Sequence, residues 1–289
     1  MRYVPIKYVR EGMILAKTLY GANGEVLLTK EMPILLSYVK ILSKLGFCGL
    51  YINDELSEDI TVNEIINEEL KMKTIKSINN LMQPNIRKKE IQSSLKIIEK
   101  LMGNIVDEIS CNEDIMINMI DLKVSSEYTF YHSVNVCVLS IVLGAALKLK
   151  KSDLYLLGTS ALLHDMGKIY TPKEILDKPE KLTYEEFEII KQHSENGYRY
   201  VKENLDINNK VYMGIYQHHE RYDGTGYPLN KKGDEISLFG RIIAITDVYD
   251  AFVSDRPYRK GVLPSEAIEY IMAFCGTMFD QRLVKTFFT

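Results

Sequence analysis

A mainly helical fold, preceded by a small unit of mixed α and β structure, is predicted by three observations. Extended stretches and a hairpin signal are confined to the first fifty or so residues. From residue 61 onward apolar residues recur at helical spacing, and the histidines, all beyond residue 130, stand about a helix and a connection apart. The 289 residues are 46% apolar and 26% charged, so a core can form without staples, and neither disorder nor a fibrous rod is indicated. Lys and Arg number 36 against 39 Asp and Glu. That net charge of −3 lacks the bulk positive field of a nucleic-acid binder, so nucleic acid is not an expected partner and a phosphate ligand has to be held by a local cluster.

The elements follow in order. Arg2, Lys7 and Arg10 interrupt the segment where an export signal needs an unbroken apolar run, so export is not expected. RYVPIKYV and ILAKTL read as strands, Asn23-Gly24 as a tight turn, and EVLL as the returning strand. A helix over 33–45 and a strand near GLYIN complete a small β-rich domain, 1–57, closed by the acidic stretch 54–59. A helical connector, 58–120, is broken at Pro84 and carries Ile91, Leu95, Ile98, Met102, Ile105 and Ile109 as an apolar stripe. Such a stripe packs on its own domain or pairs two chains in a short coil, which keeps a homodimer through the connector open. The third unit, 121–289, is helical throughout. Its longest apolar run, 136–147, is too short for the roughly 20 residues that span a bilayer, so it reads as a core helix and no membrane insertion is expected. Cys48, Cys111, Cys137 and Cys275 form no C-x-x-C pair, which points to a reducing, cytoplasmic setting without zinc knuckles or disulfides.

His132, His164, His193 and the pair His218-His219 are separated by 32, 29 and 25 residues, with 28 more to Asp247. One ligand per helix is the natural inference. Each histidine alone would read as structural, but the set together points to metal. Leu154, Leu157, Ala161 and His164 form a core-facing stripe that ends in an imidazole followed at once by Asp165. A buried carboxylate needs compensation, and a divalent cation supplies it while using the imidazole. Lys168, one turn beyond His164, either holds a phosphate oxygen or is a solvated helix-end lysine. The next helix opens on a capping box, Thr183 and Glu186, and carries Ile190, His193 and Gly197 on one stripe, with Gly197 admitting a neighbouring backbone. Val211 and Ile215 lead to His218 and His219, which as adjacent helical residues should point about 100° apart and serve different metals or roles. Asp247 is the expected ligand of the last block, with Asp250 anchoring nearby backbone or the arginines beyond it. Two metals are expected rather than one.

The blocks LLHDMGK, KQHSENG, QHHERYDGTGYP and ITDVYDAFVSDRPYRK, in this order, resemble the HD-GYP family of HD-superfamily metal-dependent phosphohydrolases, over roughly residues 120–289. The resemblance implies a helical domain with two divalent transition-metal ions, iron or manganese, and hydrolysis of cyclic di-GMP to linear pGpG, with a further step to GMP left open. It implies His132, His164, Asp165, His193, His218, His219 and Asp247 as metal ligands, with Asp165 bridging. Asp165 and Lys168 would be catalytic, and Lys168, Tyr227, Arg256 and Arg259 would hold the dinucleotide. Some members add a glutamate four residues before the first histidine for a third metal. That position is Tyr128 here, with Glu127 one residue off, so a binuclear site is implied. Gln281 stands where a proline is common, in what reads as a loop. The segment GMILAKTLYGANGEVLL resembles the small domain often found ahead of HD-GYP domains, although Glu31 replaces a usual glycine. The alternatives are another HD nucleotide phosphohydrolase, opposed by the blocks after residue 217, and a catalytically weak dinucleotide receptor signalling through the connector, opposed by the intact ligand set.

Overall fold

The computed structural model describes residues 1–21, 25–45, 47, 49–57, 68–83, 86–110, 128–254 and 261–288. The amino-terminal region holds β1 (Arg2–Pro5), β2 (Ile14–Leu15), β3 (Leu19–Tyr20), β4 (Val26–Leu28), helix α1 (Leu36–Lys44) and β5 (Gly49–Asn53). The antiparallel order is β1-β5-β2, with Tyr3 opposite Tyr51, while β3 pairs with β4. The tip of that hairpin, 22–24, lies outside the described residues. Alternation along β5 buries Leu50 and Ile52, which join Val4, Val9, Leu15, Ile34, Leu42 and Phe47 in one apolar cluster. Helix α1 starts three residues later than its sequence pattern suggests. The reason is that Ile34 exchanges backbone hydrogen bonds with Gly12 and Met13, which keeps 33–35 extended. Glu31 has φ of 69°, a left-handed backbone in which a glycine is unstrained, which accounts for the residue usual at this place.

The remaining helices are α2 (Glu68–Leu81), α3 (Lys88–Ser110), α4 (Tyr128–Ala146), α5 (Lys151–Leu162), the short α6 (Lys173–Leu176), α7 (Tyr184–Asn204), α8 (Asn209–Gln217), α9 (Leu238–Val253), α10 (Pro264–Ala273) and α11 (Gln281–Phe287). All of them except α6 contribute to one apolar cluster running from Leu70 to Val284. The connector stripe turns into it: Ile91, Ile98, Met102, Ile105 and Ile109 are buried within their own chain, α3 packing on α2, α4 and α5. Helix α4 is the axis, contacted by α2, α3, α5, α9 and α11, which explains why its sequence is apolar nearly all round. Among the described residues no helix is long and apolar enough to cross a membrane, and Cys137 and Cys275 are free thiols.

Two local features set up the site. The 3-10 segment Met166–Tyr170 lies against α7, where Gly167 and Gly197 meet. A Cβ on Gly167 would collide with the His193 carbonyl oxygen, and one on Gly197 would come within 3.1 Å of the Gly167 nitrogen. The close approach expected at Gly197 is thus made by the segment that follows His164-Asp165. Gln281, expected in a loop, instead takes the first helical position of α11 behind the cap Asp280. Proline is favoured at that position because the missing N–H is not needed there, so glutamine replaces it without losing a hydrogen bond.

Candidate metal centre

Five elements deliver the site. His132 comes from α4, His164 and Asp165 from the turn that ends α5, His193 from the middle of α7, His218 and His219 from the end of α8, and Asp247 from α9. His132, His164, Asp165, His193 and His218 are all buried to within 2% exposure.

Local backbone sets the orientation of three of the rings. Nδ1 of His164 sits 2.7 Å from the Ala161 carbonyl, Nδ1 of His193 2.7 Å from that of Ile190, and Nδ1 of His218 2.6 Å from that of Ile215. A carbonyl can only accept, so each ring carries its proton on Nδ1 and presents a bare lone pair on Nε2. His193 Nε2 lies 3.2 Å from Nε2 of both His218 and His219. No proton stands between the first pair, and lone pairs so close repel unless a cation joins them. This donor set fits a metal ion.

His193, His218 and His219 form one group of convergent donor atoms, and His132, His164 and Asp247 form a second, with His132 Nε2 3.1 Å from Asp247 Oδ1. Asp165 lies between them. Its Oδ1 is 3.5 Å from His193 Nε2, while its Oδ2 is 3.4 Å from His164 Nε2 and 3.7 Å from His132 Nε2. Each carboxylate oxygen therefore faces a different group. His218 and His219, expected to serve different metals or roles, have rings 4.1 Å apart and both reach His193, while His218 alone also converges with His164 and Asp165 in a third group of donor atoms. The 100° rule applies inside a helix, whereas His218 is the cap of α8 and the chain turns at His219.

Protonation agrees with this reading. Burial lowers His164, takes His193 down to about 4 and His219 to about 3, and holds His218 well below the ordinary range, so all four rings are neutral at pH 7. Burial works against ionised Asp165, but the Lys168 ammonium 2.6 Å from Oδ2, together with the rings of His164, His193 and His132, outweighs it, and Asp247 is held low against burial by His132 with His164 and His219. Neutral imidazoles and ionised carboxylates are the forms a divalent cation binds. His132 differs: burial would lower it, but hydrogen bonds with Asp247 and Asp250 raise it to about 9.

Asp250, expected to anchor nearby backbone or the arginines beyond it, has two side-chain partners on α4 among the described residues, while Arg256 and Arg259 lie outside them. It accepts from His132 Nδ1 at 2.7 Å and from Asn135 Nδ2 at 2.9 Å, so a side chain does for His132 what helix carbonyls do for His164, His193 and His218. The signal was in the sequence as the second carboxylate one turn from Asp247, while Asn135, one turn beyond His132, went unremarked. Glu220 was also missed. It is buried, accepts from the Leu229 and Lys231 nitrogens at 2.6 and 3.0 Å, and pins the loop that carries Tyr227. Gly226 lies so close under that loop that a Cβ would strike the Arg221 nitrogen. The Tyr227 ring stacks on His219 at 4.8 Å, and burial raises its phenol so that the O–H stays a donor. His218, His219, Tyr227 and Asp247 open into a cleft of about 850 Å³. Arg256, Arg259, Lys260 and Glu127 lie outside the described residues.

The HD domain family matches residues 114–283, more than half of the chain and every residue of the two donor groups. The chain belongs to the HD domain family. Within it, the GYP loop and the double histidine mark the HD-GYP branch. Over 189 residues it is 41% identical to the cyclic di-GMP phosphodiesterase PA4108 of Pseudomonas aeruginosa, covering 64% of this chain and 45% of that protein. It is 38% identical over 194 residues to the 3'3'-cGAMP-specific phosphodiesterase 1 of Vibrio cholerae, covering 65% of this chain and 43% of that one. The chain thus spans less than half the length of these two HD-domain relatives. Among solved structures, "Bd1817, a HDG"Y"P protein from Bdellovibrio bacteriovorus" superposes with a TM-score of 0.66 at 17% identity, covering 99% of this chain and 97% of that one, which shows a shared fold.

Proposed function

We propose that this chain is a metal-dependent phosphodiesterase that opens cyclic dinucleotides, hydrolysing cyclic di-GMP to linear pGpG. The observation that carries the reading is Asp165, whose two oxygens face different groups of donor atoms, beside a cleft that is lined by His218, His219 and Asp247 and is large enough for a dinucleotide. The names of the relatives support the substrate class.

His132, His164 and Asp247 would hold one ion, His193, His218 and His219 the other, and Asp165 both. The donors are imidazoles and carboxylates without thiolate, a set suited to iron or manganese. Ions bound there supply a water nucleophile near neutral pH and neutralise charge on phosphate oxygens. The chain's own groups do the rest. Lys168, paired with Asp165 and 27% exposed, has further N–H groups to offer a nonbridging oxygen as charge builds there. Tyr227, fixed by its stacking on His219 and by its N–H donating to the His219 carbonyl at 3.1 Å, orients the ligand over the centre. Arg256 and Arg259 complete the phosphate cluster in this proposal, and the protein works in the cytoplasm.

The test is incubation of metal-loaded protein with cyclic di-GMP, 3'3'-cGAMP and cyclic di-AMP, with products resolved by chromatography. The expected result is pGpG formation that a chelator abolishes. Absence of any linear product from all three would sink the reading.

A further inference from the structure

One wall of the cleft is a single stripe of α7. Phe187, Lys191 and Glu195 follow at one-turn intervals, with Glu188 and Gln192 beside them. Phe187 is 45% exposed in a wall otherwise made of polar side chains. A lone exposed ring would mean little, but this one has company. Lys191 Nζ lies 5.5 Å from the centre of the Phe187 ring and 5.6 Å from the centre of the Tyr227 ring, with Glu188 Oε1 at 2.5 Å to neutralise it. Two aromatic faces therefore share one ammonium inside the cleft, and the second of them stacks on a ring of the metal centre.

A ligand that matches this wall is flat and aromatic, carries acceptor atoms along one edge, and is joined to a phosphate that reaches the metal centre. A purine nucleotide has that form. The purines differ at the edge: guanine offers O6 and N7, both acceptors, and lysine is a usual donor to that pair. Adenine puts its N6 amino group where O6 would be, and donor then faces donor. We infer that Phe187 and Lys191 form a guanine subsite, Phe187 stacking the base and Lys191 donating to O6 and N7. The inference rests on the proposed cyclic dinucleotide phosphodiesterase activity and narrows it: cyclic di-GMP and a mixed guanine-adenine dinucleotide each present a guanine, while cyclic di-AMP presents none.

The test is equilibrium dialysis of metal-loaded protein against labelled GMP and AMP, mononucleotides with no diester to cleave. Wild type should prefer GMP by about tenfold. Phe187→Leu should weaken both nucleotides by about tenfold, and Phe187→Tyr should restore them to within about twofold, because stacking needs a ring and not this ring. Lys191→Met should weaken GMP by about tenfold and leave AMP within about twofold. GMP affinity unchanged in Phe187→Leu, no recovery in Phe187→Tyr, or an unchanged GMP-to-AMP ratio in Lys191→Met at wild-type metal content would each overturn the subsite. Cyclic di-GMP turnover by wild type is measured in parallel. Its absence counts against the hydrolase reading alone, and the dialysis still decides the subsite.

Discussion

Asp250→Ala tests whether the metal centre depends on a residue that touches no metal. Asp250 is fully buried and accepts two hydrogen bonds, from His132 Nδ1 at 2.7 Å and Asn135 Nδ2 at 2.9 Å. Each buried donor that loses its acceptor costs about 1–3 kcal/mol, so the substitution, which strands two, should lower stability by about 2–6 kcal/mol. The second effect falls on the metal. Without Asp250 the His132 ring loses its fixed orientation and part of its basicity, and affinity for the more weakly held ion should drop by about 10–100-fold. Asp250→Asn separates the two effects. Its amide oxygen can still accept from His132, but its amide nitrogen then faces the Asn135 donor, so the ring stays placed while basicity falls. The assays are denaturant unfolding of the metal-free proteins and competition for metal against a chelator of known affinity. Metal affinity within about threefold of wild type in both variants would refute the argument, since a 10-fold loss is the smallest that such outer-shell carboxylates give.

Asp165→Asn should reduce bound metal from about two ions per chain, read by elemental analysis, while the far-ultraviolet spectrum stays helical, because one carboxylate faces both donor groups. Gly226→Ala should destabilise by about 1–3 kcal/mol in denaturant unfolding, since the new methyl meets the Arg221 nitrogen and the Glu220 backbone and the loop must shift to admit it; an unchanged midpoint would show that the loop is not held there. Asp280 is buried between Arg241 and Arg282, and although burial opposes ionisation these partners hold its carboxyl below the usual range. A depressed carboxyl contributes stability that is complete above the unfolded value near 4 and fades as pH falls through the folded one. Asp280→Asn keeps an acceptor for the α11 cap but loses the charge, so it should cost about 2 kcal/mol at pH 7 and progressively less below about pH 4; a difference that does not narrow in acid would refute the ionic account.

What the sequence made legible was whatever depends on period and residue type. The stripe Leu154, Leu157, Ala161, His164 is buried end to end, and the connector stripe turns inward as one of its two readings required. The donor set came from counting imidazoles and carboxylates, which carry their chemistry with them. What was not legible depends on where chain ends and caps fall. The convergence of His218 and His219 follows from the helix stopping at Gln217, a boundary that residue spacing does not mark. Asp250 was visible as a carboxylate one turn from Asp247, but its partner, 118 positions away, is a fact of α4 crossing α9. Phe187 gave no signal at all, because an aromatic residue near a helix start reads the same whether it fills a core or lines a cleft.

The backbone carbonyls that hold three of the imidazoles bear on how this site tolerates genetic change. Ala161, Ile190 and Ile215 contribute only an oxygen that every amino acid possesses, so no missense change at those codons removes the acceptor as long as the helix survives. The ring on α4 has no such insurance. His132 takes its orientation from the side chain of Asp250, and a single nucleotide change there can remove it. Among chains that drift from hydrolysis toward mere binding, the α4–α9 pairing is therefore where loss is expected to begin, while the ring anchors on α5, α7 and α8 outlast it.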